Sequence, residues 1–301
     1  MTQLHDVLVI GTGIAGLSAA RQALQSGLST ATMEALFDGG LVTNINHLDG
    51  EVQGSGSDLA SGLSMEISDL GVEGISATAQ SISRDGDGIV VHSDAGSHRA
   101  RVVVVASGAT LRRLGVPGEA EFEGKGVSQC ANCDGPFFMD QEVVVVGGGD
   151  SALQEALALT AYAKRVHLVH RGTAFRAKRH FVDQVAAHAK VSIHWGTRVE
   201  AVLGEQSVNA VRMQRDDGGF ATEIPCSGFF AYVGLEPACA FMPEAVPRDA
   251  GGCLVTGPGL QTAMPGVFAA GAVRSGYGGL LTHALAEGVS AAESARMAIR
   301  S

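Results

Sequence analysis

The chain has 301 residues, of which 41 are glycine and 8 proline, with 46% hydrophobic and 17% charged. Its length points to two domains; abundant glycine with only 8 prolines and no three-residue repeat excludes collagen, and the apolar content excludes a disordered chain. A formal net charge of −10 disfavours nucleic acid and anionic membrane as partners but leaves room for a local basic site on a small phosphate.

The opening Met1-Thr2-Gln3-Leu4-His5-Asp6 has no basic region and no small-residue cleavage site, so no secretory signal is expected and the cytoplasm is the expected location. Asp6–Ile10 reads as a buried parallel strand that runs into Gly11-Thr12-Gly13-Ile14-Ala15-Gly16 and then an apolar-periodic helix from Leu17 to Leu24. The first two glycines allow a tight turn and close approach of backbone to a pyrophosphate. The third lets helix and strand pack, and the helix N-terminus favours the anion. Glu34 follows near the end of a second strand, where its carboxylate would accept hydrogen bonds from ribose hydroxyls. A dinucleotide site is therefore expected here.

A third run, Val102–Val105, leads into Ala106-Ser107-Gly108 without an obvious helix after it. Like Val143–Val146 further on, it is far too short to span a bilayer, and no membrane association is expected. Leu111–Gly118 reads as an exposed connector and the first domain boundary. Next comes Cys130-Ala131-Asn132-Cys133-Asp134-Gly135. Two cysteines three apart at a turn can close a redox-active disulfide, and Asp134 is placed to pass a proton to or from a thiolate. Zinc would need two more ligands at metal spacing, and no second CxxC or HxxxH exists, so no metal is expected. The odd count of five cysteines argues against a disulfide framework, which leaves Cys226, Cys239 and Cys253 as expected small core residues.

Val143–Val146 opens a second copy of the first pattern: Gly147-Gly148-Gly149-Asp150-Ser151-Ala152, then a helix from Leu153 to Ala161. The fold class is therefore α/β with two Rossmann-like domains. After the next strand, Val166–His170, the expected acid is replaced by Arg171, with Arg176, Lys178 and Arg179 following. Arginines there would pair with a 2′-phosphate, so NADP(H) is expected over NAD(H). Trp195 is expected to pack at a strand end. A second boundary falls near Pro237–Pro243, and Gly266–Gly271 forms a last strand into glycines before a helix from about Leu280 to Ile299.

An acidic and a basic dinucleotide fingerprint with CxxCD between them resemble the low-molecular-weight thioredoxin reductases over nearly the whole chain. The resemblance implies an FAD domain of residues 1–113 and 243–301, with an NADPH domain of 114–242 inserted into it. Candidate cofactor contacts are then Gly11, Thr12, Gly13, Ile14, Ala15, Gly16, Glu34, Gly40, Leu41, His47, Ala106, Gly108, Gly271, Ala272, Gly279 and Leu280 in the first domain. In the second they are Gly147, Gly149, Asp150, Ser151, Ala152, Arg171 and Arg176. Electrons would pass from NADPH through FAD to the Cys130–Cys133 disulfide and on to a thioredoxin-like protein or small disulfide. Cys133 would face the flavin, Cys130 would attack the partner, and Asp134 would donate the proton. The inserted domain would swing about segments near 113–118 and 237–243, and the protein would be a homodimer.

Departures from the family pattern cluster at the flavin. Ala272 stands for an Asp, Gly279-Leu280 for an Arg-Gln pair, Leu41 for a Gln and His47 for an Asn; in the NADPH site Gly172 replaces one of two arginines. Tyr277 and His283 either contact the flavin in place of the missing pair or belong to the surface. The alternative function is an FAD-dependent dithiol oxidase or reductase that uses an electron partner other than NADPH.

Overall fold

The computed structural model describes residues 4–45, 48, 52–86 and 88–300. The chain divides into two compact units, Met1–Thr110 with Glu236–Ser301, and Leu111–Leu235. The Pro- and Gly-bearing stretch around 114–118 is bound into the second unit: Glu119, buried, accepts the N–H groups of Leu114 and Gly115, and the Pro117 carbonyl accepts the Val202 N–H at 2.9 Å. In the same way Cys239 and Met242 lie in the core of the first unit. Turn residues here serve packed corners, and the crossings fall within two short strands, Ala109–Leu111 and Leu235–Pro237.

In the first unit the chain runs β1 (Leu4–Ile10), α1 (Ile14–Gln25), β2 (Thr30–Glu34), α2 (Gly56–Asp69), β3 (Glu73–Ser76), β4 (Ala79–Asp85), β5 (Gly88–Ser93), β6 (Gly96–Val105) and the crossing strand β7. Parallel β3-β2-β1-β6 continues into antiparallel β5 and β4. The first half of β6 pairs with β5, and the second half takes a late strand, Val267–Ala269, in parallel. The valine-rich runs are continuous because both faces are covered. Val7, Val9, Val102 and Val104 pack under the helices, while Leu8, Ile10, Val103 and Val105 face the opposite core.

The second unit repeats the plan with β8 (Val127–Ser128), α3 (Ala131–Asp134), β9 (Glu142–Gly147), α4 (Asp150–Leu159), β10 (Arg165–His170), α5 (Arg179–Ala187), β11 (Val191–Trp195), β12 (Thr197–Gly204), β13 (Val208–Arg215), β14 (Thr222–Pro225) and β15 (Gly228–Tyr232). Parallel β11-β10-β9-β15-β8 is one sheet and antiparallel β12-β13-β14 another. Val143, Val145, Val166 and Leu168 face α4 and α5; Val144, Val146, Val169 and Phe229 face the three-stranded sheet. The chain then returns through β16, the second crossing strand, to β17 (Val267–Ala269) and α6 (Leu281–Arg300) in the first unit. Among the described residues no helix is long and apolar enough to cross a membrane.

Helix α6 lies so close to α1 that a Cβ on Gly288 would stand 2.3 Å from the Ala15 carbonyl oxygen. Gly288→Val should lower the urea midpoint by the equivalent of about 1–3 kcal/mol through overpacking. On the exposed face of α2 the sign reverses. A Cβ on Gly62 meets nothing within 4 Å, and Gly62→Ala should raise the midpoint by about 0.5–1 kcal/mol.

Candidate functional site

In the first unit, β1 ends where Gly11 turns with φ +93°, donating its N–H to the Met33 carbonyl at 2.9 Å. A Cβ on Gly16 would stand 1.9 Å from the Gly11 oxygen, so only glycine lets α1 begin there. Gly13 caps α1 with no side-chain hydrogen bond, which leaves the first helical amides open to an anion. The Glu34 carboxylate accepts the Thr12 N–H at 3.2 Å and the Ala35 N–H at 2.9 Å, and so stands fixed beside the glycine turn. Gly39 donates to the Thr12 carbonyl at 2.7 Å, and Gly40 comes against the Gly13 backbone. Ala106 donates to Ile10 at 2.8 Å. Gly271, at the end of β17, lies against the Ala15 methyl.

Gly11 to Gly16, Glu34, Gly40, Ala106 and Gly271 thus converge at one end of the sheet. Gly108 instead accepts the Ala238 N–H, and Leu41 and Leu280 are exposed. His47 lies outside the described residues. Around Ala272 the carboxylate comes from elsewhere. Glu287 on α6 accepts the Gly271 N–H at 2.8 Å and pairs with Arg274 at 2.6 Å, the two side chains being 13% and 16% exposed. The Arg274 Nε is the one buried side-chain N or O atom among the described residues without a hydrogen-bond partner. Tyr277 donates to the Leu280 carbonyl at 2.9 Å, with burial and then Glu287 pushing its phenol up, and His283 packs on Gly278. An open helix start, a fixed carboxylate and an orphaned guanidinium nitrogen fit a bound FAD.

In the second unit Gly147 approaches closely in place of the third glycine. With φ +153°, its added Cβ would stand 2.5 Å from both the Ala152 Cβ and the Tyr232 carbonyl oxygen. Gly149 caps α4, again with no side-chain bond. The basic loop is tied along this turn by the Arg176 N–H to Gly148 at 2.8 Å and the Lys178 N–H to Asp150 at 2.7 Å. Arg171 and Arg176 are exposed, and neither pairs with a carboxylate among the described residues; Arg179 pairs with Asp183 on its own helix. His170, Phe175 and Trp195 form an aromatic cluster beside them, with Phe175 and Trp195 centroids 4.3 Å apart. These donors and open amides fit a phosphorylated dinucleotide.

Cys130 and Cys133 are joined as a disulfide at the start of α3, with Cα atoms 5.3 Å apart. Cys130 caps the turn: its Sγ accepts the Cys133 N–H at 3.1 Å, and its own N–H donates to Ser128. Asp134 lines a cavity of about 220 Å³ in this unit with Arg112, Arg113, Glu119, Glu123 and Gln129. Behind the turn sits a residue that pattern reading missed. Glu155 on α4 is 9% exposed; it accepts the Ala131 N–H at 2.9 Å and the Tyr232 O–H at 3.2 Å, and burial pushes its carboxyl up. An acid among the buried positions Ala152, Leu153, Ala156 and Leu159 was the available signal. Cys226 and Cys239 are buried and Cys253 half-buried, all as free thiols, Cys226 being pushed up to about 12 by burial. Among the described residues no group of three or more His, Cys, Asp or Glu side chains could hold a metal ion.

Residues 5–288 match the pyridine nucleotide-disulphide oxidoreductase family. The thioredoxin reductase of Treponema pallidum is 34% identical over 275 residues, 90% of this chain and 89% of that protein. The bifunctional thioredoxin reductase/thioredoxin of Mycobacterium leprae is 36% identical over 274 residues, 89% of this chain and 60% of that protein. Among solved structures, the thioredoxin reductase of Lactococcus lactis superposes with a TM-score of 0.92 at 32% identity, covering 98% of this chain and 99% of that one.

Removing the acid of the Arg274–Glu287 pair leaves a guanidinium uncompensated. Glu287→Ala should therefore cost on the order of 3 kcal/mol, whereas replacing both partners by Met and Leu should recover most of it. Urea unfolding and FAD retention on gel filtration check both variants.

Proposed function

This chain belongs to the pyridine nucleotide-disulphide oxidoreductases and, within them, to the thioredoxin reductases, and from that premise we propose that it reduces the disulfide of a thioredoxin-like protein with electrons from NADPH. It is a flavin-dependent disulfide oxidoreductase of a family that uses FAD and NADP(H). The observation that carries the proposal is the Cys130–Cys133 disulfide in the unit that also holds the basic fingerprint.

When bound, the cofactors supply hydride transfer from nicotinamide and electron-pair transfer to a disulfide. FAD would be held by Gly11 to Gly16, Glu34, Gly40, Ala106 and Gly271, and NADP(H) by Gly147, Gly149, Asp150, Ser151, Ala152, Arg171 and Arg176. Reduction of Cys130–Cys133 takes two electrons and two protons and breaks the S–S bond into two thiols. Cys130 then attacks one partner sulfur as the thiolate, forming a mixed disulfide and expelling the other partner sulfur as a thiolate. The Cys133 N–H on Cys130 Sγ supports this choice, since it would hold the thiolate charge. Asp134 takes the Cys130 proton and returns it to the leaving sulfur. Cys133 then attacks Cys130 Sγ, its proton passing to the second partner sulfur, which leaves as a thiol as the disulfide is restored.

A thioredoxin-like partner is supported by the bifunctional relative, whose name joins reductase and thioredoxin. We further place the protein in the cytoplasm as a homodimer. The three free thiols support a reducing compartment, and light scattering of the purified chain tests the dimer. The substitutions at Ala272 and Gly172 favour one second reading, an electron partner other than NADPH.

Anaerobic mixing with NADPH decides between them: fast bleaching of the flavin band supports the proposal, and bleaching only by a dithiol supports the second reading. Cys130→Ser should abolish turnover of thioredoxin disulfide while leaving NADPH bleaching intact. Arg171→Ala or Arg176→Ala should raise KM for NADPH by roughly tenfold or more, the loss of one charged hydrogen bond. KM for NADH should stay unchanged in steady-state assays.

A further inference from the structure

Resting on the assignment of Cys130–Cys133 as the redox pair, we propose that Glu155 is a positioning residue of that pair: it holds the Cys130 turn through the Ala131 amide, and its charge controls how readily Cys130 ionises once the disulfide is reduced. The placement carries this. Ala131 is fully buried and follows Cys130 directly, and its N–H is the first amide of α3. The Glu155 carboxylate takes that amide at 2.9 Å, while the Cys130 sulfur takes the Cys133 amide at 3.1 Å. Carboxylate and sulfur therefore draw on the donors of one short turn from its two sides.

Glu155 forms no salt bridge among the described residues, and its side chain accepts the Tyr232 hydroxyl at 3.2 Å. Tyr232 from β15 feels both Glu155 and Asp134 of α3, Tyr162 lies against Gly135, and the cavity lined by Asp134 carries Arg112 and Arg113 beside Glu119 and Glu123. Burial pushes the Glu155 carboxyl up against the pull of its two hydrogen bonds, which brings its proton loss nearer the range where thiols begin to ionise.

Reduction turns one disulfide and two protons into two thiols, with both electrons coming from the proposed NADPH donor or, in the test below, from dithiothreitol. Ionisation of Cys130 then releases a proton and places a second negative charge at a turn that already faces a carboxylate. The two charges oppose each other reciprocally: a proton on Glu155 eases ionisation of Cys130 by the same factor that a thiolate at Cys130 strengthens protonation of Glu155. When neutral, Glu155 still accepts the Ala131 amide through its carbonyl oxygen, so the turn keeps its shape while the repulsion disappears.

The test follows alkylation of Cys130 by iodoacetamide, read by peptide mass, in the dithiothreitol-reduced full-length holoprotein across pH. The wild type should give a two-step profile, and Glu155→Gln a single step at lower pH, with alkylation at pH 7 on the order of tenfold faster, as removal of a like charge requires. Tyr232→Phe removes the bond that favours the carboxylate and should move the first step to higher pH; it carries the test if Glu155→Gln does not fold. A Glu155→Gln profile that matches the wild type, or is scaled down without changing shape, overturns the inference, as does an unmoved first step in Tyr232→Phe. A Cys130–Cys133 pair that does not reduce and re-form reversibly overturns the redox assignment as well, whereas a reversible pair with an unchanged profile overturns only the role of Glu155.

Discussion

One backbone contact sets the geometry of the first unit: Gly16 against the Gly11 carbonyl, with no room for a single carbon between them. Because α1 can leave β1 only along that line, its uncapped amides point outward past Gly13, and the end of β2 brings Glu34 alongside. The second unit meets the same steric demand with the atoms exchanged, for Ala152 carries the methyl and Gly147 goes without. Both units therefore present open helix starts at the ends of their parallel strands, where a pyrophosphate is best stabilised. The carboxylate clamp of Glu287 on Gly271 and Arg274 fastens the far side of the first site from α6.

In the second unit one helix serves two chemistries. The first turn of α4 faces the glycine loop, and Glu155, one turn further on, reaches the first amide of the cysteine turn. Disulfide and nucleotide loop are thus mounted on a common rigid piece. A shift of α4 of even a fraction of an ångström would be felt at Ala131, because interiors packed to this density transmit displacement rather than absorb it.

The two βαβ units were legible because their signals are local. Continuous apolar runs at β1 and β9, each followed within a few residues by glycines and an apolar-periodic helix, need no distant partner to be read. The CxxC spacing is local in the same sense. What stayed hidden depends on contacts far along the chain. The hairpin of β4 and β5 and the sheet of β12 to β14 mix exposed and buried positions with weak alternation. Glu119 gives no sign in sequence that it fixes Leu114 and Gly115, so that stretch reads as linker. Arg274 and Glu287 are 13 residues apart, and only the loop between β17 and α6 brings them together. Glu155 escaped because an acid on a helix is ordinarily a solvated residue, and its burial follows from the partners waiting for it.

The first unit is built from the two ends of the chain, and this has a consequence for biosynthesis. Strand β17 must take its place beside β6, and α6 must cover α1, before the core of that unit closes. The second unit is continuous and complete at Leu235. At roughly 5–20 residues per second, the ribosome delivers the redox unit several seconds before the strand and helix that finish the first. For that interval the Val103–Val105 edge of β6 is without the strand that pairs with it in the finished unit.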